Sequence, residues 1–87
     1  MMINETERPT LRWAIDVTAE LRPQIVREVN KTPDNEIEAI SDRLAMAIVM
    51  SGLFPTANNN KLLATVSLAA AIKLIALTER TRKELEE

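Results

Sequence analysis

The stretch from Leu62 to Leu77 constrains this chain more than any other segment. Its Leu, Ala and Ile content makes it a helix, and it is apolar on more than one face. A surface helix of a small monomer buries a single apolar stripe. On a wheel of 3.6 residues per turn this stretch carries two. One holds Leu63, Val66, Ala70, Leu74 and Leu77; the other holds Ala64, Leu68, Ala71, Ile72 and Ile75. Leu63, Val66, Ala70 and Leu77 follow coiled-coil-like spacing, as do Ala64, Leu68, Ala71 and Ile75. Thr65, Ala69, Lys73 and Ala76 lie between the stripes on one side, Ser67 on the other. A helix with two seams packs against two neighbours at once, within its own bundle or in a second subunit.

The rest of the chain agrees with a helical protein. Its 87 residues suit one domain. The single glycine, Gly52, argues against hairpins, whose tight turns need positive φ. Trp13 and Phe54 are the only aromatic residues, so Leu, Ile, Val and Ala must supply the core. The expected fold is all-α, a small bundle of three main helices over residues 10–87 that self-associates. Residues 1–9 are polar and unpatterned and are expected to form a flexible tail.

Thr10 is the expected cap of the first helix. Its stripe is Leu11, Ala14, Ile15, Thr18, Leu21, Ile25 and Val29, with Pro23 inside it. Either one helix runs to about Asn30 with a kink at Pro23, or it breaks there and a fourth helix begins with proline in its first turn. The unbroken phase of the stripe favours the kink. The next helix should start at Thr32-Pro33, with Thr32 as cap and Asp34, Glu36 and Glu38 complementing the dipole. It should present Ile37, Ile40, Leu44, Ala47 and Ile48 on one face and end near Ser51. Gly52 then turns the chain in left-handed geometry, and Leu53 or Phe54 folds back on the helix end. The last helix should start within Asn58–Asn60 and protrude beyond the core, where Glu79–Lys83, Arg80–Glu84 and Arg82–Glu86 form solvated i,i+4 pairs.

Met46, Val49 and Met50 add apolar groups off the main stripe of the second main helix. Together with the last helix they exceed what a lone bundle of this size hides, so self-association is expected. The expected contact residues are Trp13, Met46, Met50, Leu53, Leu68, Ile72 and Ile75. Trp13 is a contact hot spot or a rim residue, and Met46 and Met50 suit an adaptable surface or an irregular core. Membrane insertion is disfavoured: the apolar run is shorter than the roughly 20 residues a spanning helix needs, and Lys73 interrupts it. Thr65 and Ala69 resemble a small-residue packing pattern that is weak evidence alone.

The chain has neither cysteine nor histidine, which leaves only carboxylates for a metal site and excludes a disulfide. No metal or cofactor is expected. Ser41 and Asp42 are sequence neighbours and point apart on a helix, so they are not a catalytic pair. Glu38 and Asp42 read as a solvated acidic face, and Lys73 as a snorkelling side chain. One glycine cannot make a phosphate loop. No enzyme is expected, and no small-molecule substrate. Arg8, Arg12, Arg22, Arg27 and Lys31 gather on the first helix, but Asp16, Glu20 and Glu28 are interleaved and the formal net charge is −2. The start of the chain lacks the basic and apolar parts of a signal peptide, so a cytoplasmic location is expected. The resulting reading is a homo-oligomeric helical interaction module, such as an adaptor, inhibitor or assembly factor. The alternative is a dimeric nucleic-acid-associated regulator that contacts phosphates through Arg12, Arg22, Arg27 and Lys31.

Overall fold

The computed structural model describes residues 8–52 and 61–86. They form four α-helices: α1 (Arg8–Glu20), α2 (Arg22–Asn30), α3 (Ile37–Ser51) and α4 (Lys61–Glu86), with a single 3-10 turn at Asp34–Glu36 before α3. No strand occurs among the described residues. The all-α bundle is as expected, and α4 is its organising element. Its 26 residues make a rod about 39 Å long, which spans most of the molecule's 42 Å long axis. It packs against α1, α2 and, most extensively, α3.

The first helix breaks rather than kinks. Leu21 leaves helical geometry at φ −97° and ψ 9°. Pro23 has no amide hydrogen for the Ala19 carbonyl, and its ring crowds that oxygen. Leu21 N still donates to Val17 O at 2.9 Å, and Ile25 N donates to Leu21 O at 3.0 Å, so one residue hinges the two helices. Pro23 then sits in the first turn of α2, where its missing donor costs nothing. The continuous stripe that argued for a kink does exist. Ala14, Val17, Ile25 and Val29 are buried along it, with Leu21 half-buried at the break. Val17 takes the place expected of Ile15, which is 64% exposed.

Three other boundaries differ from expectation. Helix α1 begins at Arg8, ahead of the expected cap at Thr10. Thr32 does not cap α3; its hydroxyl donates to Glu28 O at 2.8 Å and closes α2 instead. Pro33 is extended, with ψ 153°, and the 3-10 turn delays α3 until Ile37. The end of α3 follows the sequence reading, with Gly52 at φ 71° and its amide on Val49 O. Leu53, Phe54 and Asn58–Asn60 lie outside the described residues.

On α3 the buried side chains are Ile37, Ser41 and Ala45, flanked by half-buried Ile40, Leu44, Ile48 and Val49; Ala47 is exposed. The face is therefore rotated from the expected one, towards α4. Ser41 is tolerated inside because its hydroxyl donates to Ile37 O at 2.7 Å, and buried Thr18 does the same to Ala14 O at 2.9 Å. Ala64, Leu68, Ile72 and Ala76 of α4 have no exposed surface. Alanines at both ends of this row let neighbouring helices approach, while Leu68 and Ile72 fill the centre. Leu68→Ala is expected to cost about 2–5 kcal/mol, by urea denaturation, and the loss should be the same at every protein concentration.

Candidate interaction surface

The two stripes of α4 have opposite fates. The row containing Leu68 and Ile72 faces inward, so these two residues, expected to form an intersubunit seam, are interior side chains of one subunit. Ile75 beside them is half-buried and packs on the same core. The other stripe is left largely uncovered, with Leu63 half-buried at its start. Leu62 is 77% exposed, Val66 57%, Leu74 66% and Leu77 50%; Ala70 and Lys73 are exposed among them. Leu85, 82% exposed, continues this face towards the end of the helix.

Lys73 carries the sequence signal that separates the stripes. At 100° per residue it falls within about 40° of Val66 and Leu77 and far from Leu68. An ammonium that must reach water marks its own side as the outer one. The outer stripe also continues past the apolar run. Leu63, Val66, Ala70, Leu74, Leu77, Thr81 and Leu85 recur in steps of three, four and four, an 11-residue period. At about 3.67 residues per turn such a row runs almost straight along a helix.

The remaining expected contact residues are scattered. Met46 and Met50 are exposed on α3. Trp13 is half-buried against the core, and its indole N–H is enclosed without a hydrogen-bond partner among the described residues. Its ring is thus a packing group of the α1 rim. Leu53 is outside the described residues. A separate groove of about 270 Å³ lies between α2 and α3, lined by Leu21, Gln24, Ile25, Glu28, Leu44 and Ile48 among others. Its exposed walls are mostly apolar, with Gln24, Glu28 and Ser51 as the polar residues of the lining.

Of the residues weighed for phosphate contact, Arg12, Arg27 and Lys31 are exposed. Lys31 lines a polar crevice with Glu36 and Arg43. Arg22 is otherwise engaged: its guanidinium lies 3.2 Å from Glu79. Glu79 is buried near the far end of α4 and also meets Arg82 at 2.9 Å. Further along, Arg80 donates to the carbonyls of Val29 and Thr32 and lies 2.8 Å from Asp34, and Lys83 donates to Asn30 at 2.7 Å. The end of α4 is therefore tied to α2 and the 3-10 turn, where sequence reading expected a protruding helix. Of the three expected i,i+4 pairs only Arg82–Glu86 has the expected partners, at 2.8 Å; Glu79 and Arg80 turn to other helices. The reason is position: both reach across to neighbours that sequence spacing cannot reveal.

The hydrogen bond from Arg82 holds the Glu79 carboxyl below its ordinary value of 4.5, aided by the charges of Arg82, Arg22 and Lys83 and opposed by burial. An acid held ionised in this way is a poor proton donor near neutrality, so the cluster is suited to holding helices and not to acid–base work. Among the described residues no three Asp or Glu side chains group to hold a metal. By length and composition alone α4 could cross a membrane, the only described helix that could; as a helix it outlasts the apolar run considered in sequence. No protein family, curated protein or solved structure matches this chain.

A carboxyl whose folded pKa lies below its unfolded one adds stability above the unfolded value, and this is lost as pH falls through the folded value. Glu79→Gln should therefore lower the melting temperature at pH 7 and flatten its decline below about pH 4.5. Thermal melts followed by circular dichroism across the acid range measure both effects.

Proposed function

We propose that this protein is a non-enzymatic helical interaction module that works as a homo-oligomer, with the outer face of α4 as its contact surface. The observation that carries the reading is the two-sidedness of α4: one side is closed off by three helices, and the opposite side exposes Leu62, Val66, Leu74 and Leu77. Water-exposed apolar surface of this extent favours association, because burial in a second molecule removes it from water. The exposed Met46 and Met50 of α3 supply a second adaptable apolar surface for another protein. The absence of histidine and cysteine, and the arginine-bound state of Glu79, the one buried carboxylate among the described residues, favour binding over catalysis.

Leu74 and Val66 are exposed in the subunit, so lysine at either position leaves the core intact. The double variant Val66→Lys with Leu74→Lys should keep the helical circular dichroism of the parent. Its mass by light scattering at micromolar concentration should fall to one subunit of 9.8 kDa. The parent's melting temperature should rise with protein concentration and the variant's should not. A parent that is monomeric under these conditions removes the proposal.

A further inference from the structure

We infer that two copies pair through α4 as an antiparallel two-fold seam with Ala70 on the axis; this rests on the self-association proposed above and adds its orientation and facing residues. The sequence of the outer stripe supports it. Leu63, Val66, Ala70, Leu74 and Leu77 are separated by three, four, four and three residues, a palindrome about Ala70. A two-fold axis normal to the helix at Ala70 sets Val66 of one copy against Leu74 of the other, and Leu63 against Leu77. Each contact off the axis then occurs twice, as an isologous interface requires.

Side-chain size is balanced in this orientation. In the antiparallel seam the layers are Leu with Leu, Val with Leu, Ala with Ala, Leu with Val and Leu with Leu. The seam is equally thick on both sides of the axis and thinnest at the axis, where two crossing helices come closest. A parallel seam stacks Val66 on Val66 and Leu74 on Leu74, so its two halves differ by that Val-to-Leu step. The antiparallel seam confines the overlap to the apolar run from Leu62 to Leu77, where Lys73 is the single charge and stands at the edge of the stripe. The charged end from Glu79 to Glu86 stays free to hold α2 and the 3-10 turn of its own subunit.

The absence of cysteine makes the test direct, since introduced thiols report without background. Ala70→Cys, Val66→Cys and Leu74→Cys are prepared separately, with Glu38→Cys on exposed α3 as a collision control. Under mild oxidation Ala70→Cys should become a disulfide dimer by itself. Val66→Cys and Leu74→Cys should each stay uncrosslinked alone, because eight residues place the like positions about 12 Å apart along the seam, beyond disulfide reach. Mixed together they should give the Val66–Leu74 heterodisulfide as the dominant product. Homodisulfides of Val66→Cys and of Leu74→Cys, with no mixed product, would establish a parallel seam and overturn the orientation while leaving self-association standing. Cross-linking of Glu38→Cys at the same rate would reduce every product to collision and overturn the seam. A parent that scatters light as a monomer overturns both the seam and the reading beneath it. Circular dichroism of each reduced variant establishes that it is folded before oxidation.

Discussion

Burial of one side of α4 is the interaction on which the rest of the structure depends. Ala64, Leu68, Ile72 and Ala76 are wholly enclosed, and α1, α2 and α3 each reach them. The short helices have little else to hold them. Helix α2 has nine residues, well below the roughly 12–15 at which an isolated helix becomes even marginal in water. It persists because Ile25 and Val29 are removed from water against the shared wall. The fold is thus a long helix with three shorter ones laid along one of its sides, and every helix boundary elsewhere can be irregular without loss of the core.

The irregular boundaries are in turn secured by charge. The break at Leu21 separates two helices that a continuous backbone ladder would have aligned. Arg22, one residue past the break, reaches buried Glu79, and this tie fixes the start of α2 to α4. At the other end of α2 the last carbonyls have no intrahelical donors. Arg80 supplies donors to Val29 and Thr32, and a guanidinium at a helix C-terminus also complements its dipole. Burying the Glu79 carboxylate is tolerable because two guanidiniums meet it; removal of either arginine alone leaves charge that the interior stabilises poorly. One polar cluster on α4 therefore holds both ends of α2.

Local chemistry was legible in the sequence, and mutual placement was not. Gly52 signals its left-handed turn because any side chain there is strained. The helical class follows from the scarcity of glycine and aromatic residues. Which stripe of α4 turns inward is harder, since Leu68 and Ile72 are no more apolar than Leu74 and Leu77. Only Lys73 distinguishes the sides, and Glu79, a charge on the inner side, argues the opposite way until its arginines are located. Pro23 shows the same limit. The phase of the stripe is preserved across it, yet phase reports which way side chains point and is silent on whether the backbone ladder is complete. Thr32 matches the composition of a cap, but its hydroxyl finds the carbonyl of Glu28 first.

A helix apolar on both sides reconciles two demands that usually conflict. Docking surfaces need apolar groups in water, and such groups tend to be drawn into the core during folding. Here the inner row wins that competition through shape. Alanines at Ala64 and Ala76 admit neighbouring helices closely, and leucine and isoleucine between them fill the space. The outer row has Leu74 and Leu77 close together and Lys73 beside them, so turning it inward would bury an ammonium and overfill the centre. The lysine thus acts as a marker against the inverted packing. It keeps the apolar face outside at small cost to solubility, since Lys73 is exposed and its charge stays in water.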